Sequence, residues 1–137
     1  MVCLTVILPG KVKRNLQSLV VAQAAVTAMV SAFGDSMLKF RLRDLPTGYE
    51  AYLVTPLSNE EAKRETCRIE DTHPLGRLFD LDVIDADGVP MSRESVGLSP
   101  RKCLVCDNEA RYCMRNRTHT MAELTAKIDE MIESYVR

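Results

Sequence analysis

The segment Gly76-Arg77-Leu78-Phe79-Asp80-Leu81-Asp82-Val83-Ile84-Asp85 places two carboxylates, two positions apart, within an otherwise apolar run. Such a run reads as a half-buried β-strand. Side chains at i and i+2 of a strand share a face, so Asp80 and Asp82 point together into one site. Two like charges side by side repel each other and resist desolvation, and a cation between them relieves both penalties. The economical explanation is a divalent metal, with magnesium holding a polyphosphate as its functional form. The competing explanation is a wet sheet face on which the aspartates pair with Arg77 or Arg93. For Asp85 and Asp87, beside Gly88, simple turn chemistry is the better account.

The rest of the chain supplies the elements around that strand. Val2 to Leu8 is β-branched and apolar and stops at Pro9-Gly10, which predicts a buried strand and a turn. Asn15 to Phe33 predicts a helix closed by Gly34. Leu38, Phe40 and Leu42 alternate with Lys39, Arg41 and Arg43, and Pro46-Thr47-Gly48 turns the chain into Tyr49 to Thr55, so the two runs pair as a hairpin. Ser58 and Glu61 form a capping box that opens a polar surface helix to about Asp71, which Pro74 and Gly76 terminate. Asp87-Gly88 then leads into a strand at Val89 to Ser92. From Gly97 to Thr118 neither helical nor strand period is present, and Thr120 with Glu123 opens a closing helix whose apolar stripe is Met121, Leu124, Ile128, Met131 and Tyr135. The order β-α-β-β-α-β-β, an irregular segment, then α predicts a single α+β domain. Its mixed or antiparallel sheet carries helices on one side, and a split β-α-β core satisfies that order.

At 137 residues with a formal net charge of -1, the chain has the length of one domain and lacks the charge of a general nucleic-acid binder. Only 5% of it is aromatic, which further disfavours a nucleic-acid partner. Asn15 to Gly34 carries no charged residue but is interrupted by Gln17, Ser18, Gln23, Thr27 and Ser31. A buried helix therefore fits better than a membrane span. Five cysteines without a secretory pattern read as reduced thiols or metal ligands and predict a cytoplasmic protein.

Cys103-x2-Cys106-x6-Cys113-x5-His119 offers four soft ligands, the number and type that tetrahedral zinc requires. The alternative is that the cysteines are small packing residues and His119 belongs to the start of the last helix. Arg93, Arg101, Lys102, Arg111, Arg115 and Arg117 crowd the same region and suit bidentate capture of phosphate oxygens, or an acidic partner protein, as well as a solvated basic face. His73 beside Pro74 suits either a general base near neutral pH or a helix cap.

Taken together, His73-Pro74-Leu75-Gly76-Arg77-Leu78-Phe79-Asp80-Leu81-Asp82-Val83, Ser92-Arg93, Arg101-Lys102-Cys103-Leu104-Val105-Cys106, Cys113-x-Arg115 and Thr118-His119 resemble the apo-citrate lyase phosphoribosyl-dephospho-coenzyme A transferases, also called citrate lyase holo-acyl-carrier-protein synthases. Leu4-Thr5-x3-Leu8-Pro9-Gly10-x2-Lys13 resembles a more N-terminal motif of that family. The resemblance implies a nucleotidyltransferase-type reaction. In it, triphosphoribosyl-dephospho-coenzyme A gives its prosthetic group to a serine of the citrate lyase acyl-carrier (gamma) subunit and releases diphosphate. It further implies that Asp80 and Asp82 hold magnesium, that Arg77 and His73 join them in catalysis, and that Arg93, Arg101, Arg115 and Lys13 bind the donor. An acidic acyl carrier gives the exposed arginines a second role. Two departures accompany the match. Family members carry an additional N-terminal stretch before the first strand, where this chain opens, and Lys11 stands where a second proline is usual. The reading from a different class is a non-catalytic, zinc-stabilised module that binds an acidic protein.

Overall fold

The computed structural model describes residues 1–8 and 15–137, so the expected Pro9-Gly10 turn and Lys11 and Lys13 lie outside it. Four antiparallel strands form one sheet: β1 (Val2–Val6), β2 (Lys39–Leu45), β3 (Gly48–Val54) and β4 (Phe79–Val83), in the order β2-β3-β1-β4. Helix α1 (Leu16–Phe33) connects β1 to β2, and α2 (Asn59–Thr72) connects β3 to β4. This is the split β-α-β arrangement, and it makes β1 a central strand between β3 and β4. Two further helices, α3 (Ala110–Asn116) and α4 (Met121–Val136), close the chain.

Alternation sets the two faces of the sheet. Val2, Leu4, Ala51, Leu53, Phe79, Leu81 and Val83 are almost fully buried and join Val21, Ala25, Met29 and Phe33 of α1 and Ile128 and Ile132 of α4 in one core. The register pairs Thr5 with Asp80 and Cys3 with Asp82, so both aspartates stand on the opposite face. By length and composition α1 also meets the criteria for a membrane-crossing helix, yet here its small and apolar residues lie against the sheet. Asn15 caps it through the Ser18 amide, and Gly34 carries the chain onward in right-handed conformation into a short 3-10 turn. The hairpin turns at Pro46-Thr47, where Gly48 adopts φ 127°, a conformation that disfavours other residues.

Three local expectations change. The strand expected at Val89 to Ser92 reduces to a single bridge between Ile84 and Pro90. Asp85 takes the amides of Asp87 and Val89 on its own carboxylate, and Pro90 has no amide to continue a ladder. The segment expected to be irregular contains α3, which ends at Arg117 in the left-handed conformation. The helix expected to be a surface element buries Lys63, Thr66 and Glu70 alongside Ala62, Cys67 and Ile69.

Glu70 ties α2 to the edge strand. Its carboxylate accepts the Leu81 amide at 2.9 Å, which satisfies a donor of β4 that no neighbouring strand takes. Close approach at the α2–β4 connection requires Gly76, because a Cβ there would lie 2.2 Å from the Glu70 carbonyl oxygen. Gly76→Ala is therefore expected to lower the unfolding free energy by about 2 kcal/mol or more through overpacking, measured by urea denaturation. An unchanged urea midpoint would contradict the close approach.

Candidate active site and metal centre

Asp80 and Asp82 open onto a cleft of about 210 Å³ whose other walls include Lys63 and Glu70 of α2 together with Arg93, Arg101 and Arg111. Thr5 donates its hydroxyl to Asp80 across the strand pair at 3.4 Å. Burial and the neighbouring Asp80 carboxylate push the Asp82 carboxyl above its usual range, while Lys63 acts in the opposite sense. The β4 pattern thus brings the carboxylate pair together as the sequence indicates, and adds two residues that the sequence reading missed. Lys63 and Glu70 share a helix face at spacing i, i+7, with Cys67 between them at i+4, and that period was their signal.

The arginines divide into two groups. Arg93 meets buried Glu70 at 2.7 Å and Asp71 at 3.0 Å. Arg101 lies 3.4 Å from Glu70 and donates to the Gly76 carbonyl at 2.7 Å. Arg77 stands apart: its Nε is buried without a hydrogen-bond partner among the described residues, and it borders two other cavities instead of the aspartate cleft. Arg115 is exposed on α3 and borders none of these spaces, whereas Arg111 pairs with Glu94 at 3.0 Å. His73 ends α2. Its Nδ1 accepts the Leu75 amide at 2.9 Å, its ring packs on Phe79 and Tyr135, and burial pushes its pKa down. It does not border the aspartate cleft.

Cys103, Cys106, Cys113 and His119 converge so that their ligand atoms lie within 4.8 Å of one another. A turn at 103–106 supplies the first two, held by the Cys103 amide on the Asn108 carbonyl at 2.7 Å. The Val105 amide meets the Cys103 sulfur at 3.4 Å. Helix α3 presents Cys113, and the reversal at Arg117 delivers His119 just before the Thr120 cap of α4. Cys106 and Cys113 sulfurs stand 3.5 Å apart, close to the roughly 3.8 Å between thiolates on one tetrahedral zinc. Burial raises the Cys103 thiol, but the amides of Val105 and Cys106 and the neighbouring thiols outweigh it and bring it down to about 7. Burial lifts Cys113 to about 11. Among the described residues the buried His119 Nε2 has no hydrogen-bond partner, while its Nδ1 lies 3.7 Å from Glu123, which suits a metal-binding imidazole oriented by a carboxylate.

Comparison with known proteins identifies the family. Residues 1–135 match the sequence profile of the family described as apo-citrate lyase phosphoribosyl-dephospho-CoA transferase. The chain belongs to that family. It is 35% identical to a probable apo-citrate lyase phosphoribosyl-dephospho-CoA transferase of Streptococcus pyogenes serotype M18, over 96% of this chain and 70% of that protein. A Vibrio cholerae serotype O1 protein of the same description is 40% identical over 98% of this chain and 78% of its own length. Protein CitXG of Haemophilus influenzae is 36% identical over 98% of this chain, which corresponds to 30% of that larger protein. The descriptions of these relatives indicate a transferase acting on apo-citrate lyase, so the chain is an enzyme.

The electrostatics of the carboxylate pair generate a stability prediction. Because the folded state raises the Asp82 pKa, it holds a proton there more readily than the unfolded chain, so this group's contribution is favourable at low pH and is lost as pH rises through the folded value. Asp82→Asn is expected to raise the melting temperature of metal-free protein at pH 7, with the gain vanishing as pH falls below the unfolded aspartate range. Differential scanning calorimetry at a series of pH values measures it, and a lower melting temperature at pH 7 would contradict the like-charge strain.

Proposed function

We propose that this chain transfers the phosphoribosyl-dephospho-coenzyme A group from triphosphoribosyl-dephospho-coenzyme A to a serine of the citrate lyase acyl-carrier subunit. The observation that carries the proposal is the Asp80–Asp82 pair facing a cleft walled by cations, in a chain of this family. The serine oxygen forms a bond to the innermost phosphorus of the triphosphate, the bond to the departing diphosphate breaks, and the hydroxyl proton passes to solvent. Diphosphate is the second product.

Asp80 and Asp82 fit magnesium, since their shared face and the strain on the Asp82 charge call for a cation. A magnesium ion held by these two carboxylates would supply neutralisation of phosphate charge. Arg93 and Arg101, oriented by Glu70, present their remaining donors to the same phosphates, and Lys63 adds a third cation beside Asp82. His73 receives no part in the transfer. With its Nδ1 accepting from Leu75, the neutral ring carries its proton on Nε2 and has no free lone pair. Zinc held by Cys103, Cys106, Cys113 and His119 serves the fold, tying α3 to the start of α4. Reduced thiols at that centre suit the cytoplasm.

Incubation of the carrier subunit with this protein, the donor and magnesium is expected to raise the carrier's intact mass by one phosphoribosyl-dephospho-coenzyme A group. Asp80→Asn, Asp82→Asn or EDTA should each remove the gain. A carrier left unmodified, while another family member modifies the same preparation, would sink the assignment. For the zinc centre, metal analysis is expected to give one zinc per chain, and a strong chelator should reduce the far-ultraviolet helical signal of α3 and α4. Metal-free protein with an unchanged spectrum would contradict it.

A further inference from the structure

Among the described residues Arg77 closes on no carboxylate within ion-pair distance, although Asp71 borders the same polar cleft and favours its charge from further away. Arg93 and Arg101 close on Glu70, whereas the buried Nε of Arg77 has no hydrogen-bond partner among the described residues. Burial works against its charge, and Arg101 adds repulsion of like sign. A guanidinium held in that position is stabilised by an anion, and its planar fork matches phosphate oxygens.

Two spaces meet at this side chain. One is a polar cleft of about 760 Å³ that Arg93, Lys102 and Lys127 also border. The other is a cavity of about 270 Å³ walled by Leu8, Leu104, Met114, Leu124 and Ile128. Among the described residues no Phe, Tyr or Trp borders it, and the one ring on its wall, His119, belongs to the candidate metal cluster, which leaves no large aromatic face for a nucleobase. Its largely apolar wall, with Arg77 and Arg101 as the arginines that border it, suits an uncharged, flexible chain joined to phosphate.

The donor assigned above contains such a chain. Its dephospho-coenzyme A unit carries a diphosphate, chemically separate from the reacting triphosphate, that joins adenosine to a pantetheine arm of methylenes, two amides and a gem-dimethyl group. We propose that Arg77 seats this diphosphate and that the apolar cavity behind it encloses the pantetheine arm. The inference rests on the proposed donor. It gives the enzyme two phosphate sites: the aspartate cleft for the reacting end, and Arg77 for the anchor.

Isothermal titration calorimetry of the full chain with dephospho-coenzyme A, 4′-phosphopantetheine and ADP tests it, without carrier, triphosphate or magnesium. Arg77→Gln is expected to weaken all three by roughly tenfold to a hundredfold, the loss of a charge-assisted hydrogen bond. Met114 is 80% exposed, so Met114→Trp can fill the cavity mouth while sparing the fold. It should weaken dephospho-coenzyme A and phosphopantetheine roughly tenfold and leave ADP unchanged. Leu104→Trp, checked for folding by circular dichroism, should do the same. Absence of dephospho-coenzyme A binding, equal affinity for ADP and dephospho-coenzyme A, or indifference to the folded variants would each overturn the proposal. Binding as described without transfer to the carrier would remove the functional assignment alone. Transfer with a donor KM unaffected by Arg77→Gln and Met114→Trp would remove the anchor site alone.

Discussion

A single buried carboxylate organises the half of this molecule that carries its chemistry. Glu70 is 4% exposed, and a charge so far from water persists only where it is fully answered. Here it is answered by the Leu81 amide, Arg93 and Arg101, which come from an edge strand and from two points in the segment beyond it. The contact fixes β4 against α2 and closes the distal chain over the strand that bears Asp80 and Asp82. Gly76 belongs to the same constraint, since its missing side chain lets the α2 terminus lie against the turn that enters β4.

The same constraint sorts the arginines. Arg93 and Arg101 reach the aspartate cleft already oriented, with part of their hydrogen-bonding capacity spent on Glu70 and Gly76. That resembles the preorganisation expected of groups that stabilise developing phosphate charge, because little rearrangement is left for the reaction step. Arg77 lies one residue beyond Gly76, yet its guanidinium opens onto other spaces. The Cys103–His119 cluster forms part of the wall of both, so the candidate metal centre and these spaces share residues.

How far the sequence announces this depends on whether a residue's role is carried by local pattern. The β2–β3 hairpin was legible because apolar and basic residues alternate up to a turn that contains proline and glycine. Asp80 and Asp82 were legible as a pair because strand periodicity alone assigns them one face, and the four soft ligands were legible by spacing and type. Helix α3 was hidden because only Cys113 of its seven residues is buried, leaving no apolar stripe to read. Glu70 was hidden for another reason: in a helix that also carries Glu60, Glu61, Glu65 and Asp71, one more acid reads as solvent-facing. Its burial follows from partners 11, 23 and 31 residues further along the chain, at Leu81, Arg93 and Arg101. The division between Arg77 and the other arginines was out of reach for the same reason.

The most direct test of this account is the unfolding free energy of Glu70→Gln, measured in urea at neutral pH. Removing the charge from a buried, bridged carboxylate leaves Arg93 and Arg101 without their counter-ion, and a loss of about 3–5 kcal/mol is predicted. A loss below about 1 kcal/mol, the range of an exposed ion pair, would contradict the central place given to Glu70.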